Sequence, residues 1–286
     1  MKLPDWSQTK PVLETKIKLG IKLLFLFLVV YLLSTGLGHP RIKIPLLCIV
    51  FFLVVFYVKS INQTMVWYLF LTVLIFDLMS DYFVRANHHF LMIYMTILVI
   101  IFLKNGLQQD FITNIKLLVF IILLFSALQK LLSPQFISGD FYYYMFNTGN
   151  FFKPSLRFNP EMNDIVAQNN ALILELGKTD PNILKNITLQ NIVPNIANFS
   201  RIFAWLTVII EFLTGILILW KPKNNLIHIV FIILILGIFL MRMENGFLCL
   251  LTISGVWLSE NLKTRFVYVA MTLLFLSFIV NQIGFY

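Results

Sequence analysis

The chain has 286 residues, of which 59% are hydrophobic and 12% charged, with a mean hydropathy of +0.86. A typical soluble domain carries about 25% charged residues, so a soluble globular fold is excluded for want of solvating charge, and disorder is excluded by the same composition. The net charge of +9 reads as membrane topology signal and lipid headgroup contact rather than nucleic-acid binding.

A membrane-crossing helix needs about 20 apolar residues, and long unbroken runs such as LLVFIILLF and IVFIILILGIFLM exclude the alternating pattern of a transmembrane β-barrel. The fold class expected is all-α, a polytopic integral membrane bundle. Nine apolar segments are predicted, at about 18–36, 44–58, 65–84, 89–104, 114–132, 202–220, 225–241, 246–259 and 266–284. Residues 1–17 precede them as a cytoplasmic N-terminal segment, and 18–286 form the transmembrane domain. Of ten prolines only Pro45 touches a predicted span, in its first turn, where a missing N–H costs little. Pro134, Pro154, Pro160, Pro181 and Pro194 fall in one polar, asparagine-rich stretch, 134–200, the only sizeable extramembrane loop. Within it, 161–176 reads either as an amphipathic helix at the membrane surface or as a partly ordered loop. Cys48 and Cys249 sit in apolar runs and read as small hydrophobes.

Lysine and arginine set the orientation. With the N-terminus in the cytoplasm, the inner side holds Lys2, Lys10, Lys16, Lys18, Lys22, Lys59, Lys104, Lys116, Lys221, Lys223, Lys263 and Arg265. The short outer loops hold only Arg41, Lys43, Arg85 and Arg242. N-in and, with nine spans, C-out follows.

Ionisable residues within spans cost roughly 2.5 kcal/mol or more, so each is a functional candidate. Asp77, Asp81 and Arg85 share one face of the third span at i, i+4, i+8. Asn87, His88 and His89 open the fourth span; Lys130 ends the fifth, Arg201 and Glu211 lie on the sixth, and Arg242, Glu244 and Asn245 lie where the seventh and eighth meet. Topology brings nearly all of these to the outer half of the membrane. Each also has a plain structural reading: Asp81 and Arg85 as an ion pair, Arg85 and Arg242 as snorkelling side chains, Glu211 as a structural hydrogen-bonding group. His228, near the inner end of the seventh span, reads as interfacial. Lys130 has no acidic residue within four positions; it is either a snorkelling span end or a partly desolvated base. Adjacent histidines cannot both face one metal from one helix, and no HExxH, CxxC, GxGxxG, P-loop or GxSxG is present, so no metal or nucleotide site is expected.

Four blocks, in order, carry a resemblance: WYLFLTVLIFDLMSDYFVRANHHFLMIYM, VFIILLFSALQKLLSPQFISGDFYYYMF, FAWLTVIIEFLTGILIL and MRMENGFLCLLTIS. Together, over about 60–260, they resemble the horizontally transferred transmembrane (HTTM) domain family, which includes the vitamin K-dependent γ-glutamyl carboxylase. The sixth span also resembles DoxX-like four-helix membrane proteins. The carboxylase resemblance implies Lys130 as the base that deprotonates a reduced quinone (menaquinone or vitamin K hydroquinone) and His88 as an assisting residue. It implies O2 and CO2 as co-substrates. Asn87, Tyr142 and Tyr143 are expected to line the cavity as cofactor-binding groups. Asp81, Arg85, Glu211, Arg242 and Glu244 would supply structural or cavity charge. Gln129 departs from the family's paired lysines, and Phe136 from its aromatic-turn tryptophan. The implied protein is an enzyme of a bacterial inner membrane, active on its extracytoplasmic side, with the lipid bilayer and a secreted peptide as partners and no nucleic acid. The other readings are a non-enzymatic membrane component that helps mature a secreted peptide, and a DoxX-like electron-transfer partner.

Overall fold

A computed structural model describes residues 6–34, 63–80, 88–151, 159–180 and 186–283, with isolated positions 44, 45, 48, 82 and 182 between them. Eleven helices are found among these residues. They are α1 (Trp6–Ser34), α2 (Thr64–Ser80), α3 (His88–Asn105), α4 (Gln108–Leu131), α5 (Pro134–Ile137), α6 (Asp140–Asn147), α7 (Pro160–Leu176), α8 (Ile196–Trp220), α9 (Asn225–Arg242), α10 (Asn245–Leu258) and α11 (Leu262–Val280). Five of them, α1 from Thr15, α3, α4, α8 and α11, are long and apolar enough to cross a membrane; α2, α9 and α10 are shorter apolar helices. Eight of the nine apolar segments are therefore helical. The remaining one, 44–58, lies almost wholly outside the described residues.

Asparagine starts several helices. Asn224 accepts from the Leu226 amide at 2.9 Å, Asn261 from Lys263 at 2.8 Å, and Asn159 from Met162 at 3.2 Å. Each bond satisfies an amide that the first turn leaves without an intrahelical acceptor. The start of α1 at Trp6 places most of the expected N-terminal segment in the helix, and Lys16 on it is only 1% exposed.

Helix α10 is the centre. Every residue from Asn245 to Leu258 is buried except Phe247, as expected for a helix that is apolar all round. Around it α3 packs on α4, α4 on α8, α8 on α9, and α9 and α3 both return to α10, closing a ring. Helices α1 and α11 cover the other side of α10.

The end of the bundle near Glu260 is tied by polar contacts. Lys16 Nζ donates to Glu260 at 2.8 Å, and Trp257 Nε1 donates to the Ile17 carbonyl at 3.2 Å. His228, at that end, is buried within the protein: Nε2 bonds the Pro222 carbonyl at 2.8 Å and Nδ1 meets the Tyr268 hydroxyl at 3.0 Å. Its ring has found these partners because α9 packs directly on α11.

At the opposite end the asparagine-rich stretch is stapled to itself. Asn169 on α7 donates to the carbonyls of Asn147 (2.8 Å) and Gln190 (2.9 Å) and accepts from the Gln190 amide (2.8 Å). Asn147 accepts from the Ile192 amide at 3.0 Å. Of the two readings of 161–176, the helix is the one found. Asn169→Ala strips a partner from the buried Asn147 carbonyl, at roughly 1–3 kcal/mol, and unties the more exposed backbone of Gln190. The expected result is faster proteolytic nicking within 186–195 with the helical bundle still intact, read by limited proteolysis.

Candidate functional site

Lys130 sits in the last turn of α4, and α8 runs alongside that helix. Gly215 of α8 lets the two backbones approach, since a Cβ there would lie 3.3 Å from Leu123 Cβ. The close packing brings Glu211 level with Lys130. The ammonium donates to both carboxylate oxygens of Glu211, at 2.7 and 2.6 Å, and to Ser126 Oγ at 2.7 Å. Ser126 is one turn back on the same helix, so it reaches the amine without strain. The three protons of the ammonium therefore have three acceptors. Glu211 is buried, while the Lys130 side chain keeps 23% exposure toward the space beside it.

That space is an open cavity of about 1280 Å³. Ser126, Gln129 and Lys130 border it from α4, Glu211 from α8, and His88, Glu244 and Phe247 from α3 and the start of α10. Its volume exceeds the roughly 300–1,000 Å³ of ordinary small-molecule sites. The walls between are apolar and aromatic.

The aromatic wall comes from α5 and α6. Gly139 makes the turn between them with φ +89°, and a Cβ there would fall 2.6 Å from the Arg201 amide, so the turn lies directly on the start of α8. The contact seats Tyr142 among Phe136 (5.2 Å between centroids), Phe141 (5.6 Å) and Phe151 (5.3 Å). Thr207 donates its own proton to the Phe203 carbonyl at 2.8 Å, so the Tyr142 hydroxyl donates to Thr207 Oγ1 at 2.7 Å. Phe136 faces Lys130, whose Nζ is 5.8 Å from its ring centre.

His88 is buried, and its Nε2 meets the Tyr31 hydroxyl of α1 at 3.0 Å. The two rings cross edge-to-face at 5.5 Å. Gly246 at the start of α10 makes room: a Cβ there would stand 3.0 Å from His88 Nε2. His89 turns the other way, with Nε2 on the Leu74 carbonyl at 2.9 Å.

Of the residues expected at the site, Lys130, His88, Tyr142, Glu211 and Glu244 share this cavity. Tyr143 does not line it. One helical residue turns the side chain by about 100°, so Tyr143 follows Tyr142 away from the cavity and donates to Asn191 at 2.7 Å. Asp81, Arg85 and Asn87, and the side chain of Arg242, lie outside the described residues. Asp77 is buried in α2. Ser126, Thr207, Tyr31 and Gly246 were not singled out by the sequence: none is charged, and each earns its place through a contact with another helix or an adjacent turn. No protein family, curated protein or solved structure matches this chain.

Proposed function

We propose that the protein is a polytopic membrane enzyme of the quinol- and O2-dependent, carboxylase-like type, and that the cavity between α3, α4, α8, α9 and α10 is its reaction site. One observation carries the reading. Lys130 and His88, from different helices, border one apolar cavity whose only close counter-charge to the amine is Glu211 among the described residues.

A reduced prenyl quinone fits this lining, with aromatic walls for a ring and polar groups at two places for its oxygens. When bound, it supplies the reducing equivalents with which O2 can yield a base strong enough to remove a γ-proton from peptide glutamate. The residues of the chain supply proton handling. At 2.6–2.7 Å one proton can pass from Lys130 Nζ to a Glu211 oxygen. That leaves a neutral amine, held by Ser126, whose lone pair takes a hydroxyl proton from the ligand. His88 borders the same cavity from α3, and the Phe and Tyr cluster limits water.

The same reading places the protein in a bacterial inner membrane with nine spans, the N-terminus inside and the cavity toward the extracytoplasmic side. Supporting it, Lys16, Lys223 and Arg265 interact electrostatically with one another or with Glu260 at the end expected to be cytoplasmic. Protein in lipid nanodiscs, given reduced menaquinone, O2, labelled bicarbonate and a glutamate-rich peptide, should oxidise the quinol and fix label. Lys130→Ala should lower both by about 100-fold or more, the usual scale for a lost proton-transfer group. Quinol oxidation that survives Lys130→Ala removes the mechanism, and folded wild-type protein that oxidises no quinol favours a non-enzymatic role in peptide maturation.

A further inference from the structure

The histidines of this chain have unlike partners, and the difference assigns a role to Tyr31. A backbone carbonyl can only accept a hydrogen bond. His89 Nε2 faces the Leu74 carbonyl at 2.9 Å and His228 Nε2 faces the Pro222 carbonyl at 2.8 Å, so in both rings Nε2 bears the proton. His88 Nε2 instead faces a phenol, the Tyr31 hydroxyl, at 3.0 Å. Between a phenol and a neutral imidazole, the phenol is the better donor and the imidazole lone pair the better acceptor.

We propose that Tyr31 donates to His88 Nε2 and thereby fixes His88 in the tautomer that presents Nδ1–H to the cavity. The Nε2 edge of the ring is taken up by Tyr31 and by the close approach of Gly246. His88 still borders the cavity, and no hydrogen bond engages Nδ1 among the described residues. His88 is then a donor toward whatever occupies the cavity, and the ligand group it meets is an acceptor, such as a carbonyl or an oxyanion. Lys130, once its proton has passed to Glu211, is an acceptor in the same cavity. The two residues thus select a ligand that gives a proton to one of them and accepts a hydrogen bond from the other. Tyr31 acts through His88 and is a positioning residue. The catalytic meaning of this polarity rests on the function proposed above, whereas the tautomer does not.

Nitrogen-15 NMR of histidine-labelled protein in nanodiscs tests it. The chain has four histidines, and His39→Gln removes the one outside the described residues. Wild-type rings should give two Nε2–H signatures and one Nδ1–H signature, the last lost in His88→Gln. Tyr31→Phe keeps the ring packing and removes the donor, so the Nδ1–H signature should give way to Nε2–H. Should Tyr31→Phe not fold, 3-fluorotyrosine in its place, a stronger donor, should move the His88 Nε2 resonance in the direction of stronger hydrogen bonding. An Nε2–H signature for His88 in the wild type, or a spectrum indifferent to both changes at Tyr31, overturns the proposal. Quinol oxidation by the same samples is read separately, so a failure of the function and a failure of the tautomer are told apart.

Discussion

Glu211→Leu should destabilise the protein by about 3 kcal/mol, the lower end of what removing one partner of a buried ion pair costs. The Lys130 ammonium would keep only Ser126 as an acceptor while bounded by Phe136 and the apolar walls of the cavity. Its partial exposure to the cavity holds the loss to that lower end. The companion variant makes the cause visible. Lys130→Met together with Glu211→Leu leaves no charge to compensate, and such replacements are often neutral or stabilising. Thermal denaturation in a single detergent should therefore show Glu211→Leu well below the wild type and the double variant close to it. A double variant as unstable as the single one would mean that Glu211 acts by shape and not by charge. Both proteins should have lost quinol oxidation, which separates the structural contribution of the pair from its chemical one.

The helices were legible because a membrane-length aliphatic run admits few other structures. At several helix starts polar residues extend the helix ahead of the apolar run. Helix α4 begins at Gln108 rather than 114, and Asn114 bonds back to the Asp110 carbonyl at 2.8 Å. Lys130 and Glu211 each stood out as a charge in an apolar run. Their pairing did not, because they are separated by 81 positions and a search within four residues sees only one helix. The loop was hidden for a related reason. Its order comes from Asn147 and Asn169 bonding backbone atoms more than twenty residues away, and composition alone reads so many asparagines as either structured or not. Tyr31 lay in the run LFLFLVVYLL, where a tyrosine reads as core. Only its contact with His88 marks it as more.

Gly20→Ala should cost about 3 kcal/mol or more, at or beyond the upper end for overpacking a tight interior, although it adds a single methyl group and favours the helix. The added Cβ would fall 2.1 Å from Trp257 Nε1 and 2.6 Å from Cδ1 and Cε2 of the same ring. The indole is wholly buried, crosses Phe111 edge-to-face at 5.0 Å, and donates to the Ile17 carbonyl. It cannot yield to the methyl without breaking that bond and pushing on α4. Helix α1 would have to move instead, and with it Lys16, which is anchored to Glu260 a short distance along the same contact. Tyr31 lies on the same helix, so a displaced α1 should also disturb its bond to His88. The expected result is a lower thermal midpoint together with a loosened Tyr31–His88 pair, seen as a shifted His88 NMR signal. Trp257→Phe removes part of the clash and should partly rescue Gly20→Ala. Equal stability of Gly20→Ala and wild type would show that α1 does not pack on α10 through this glycine.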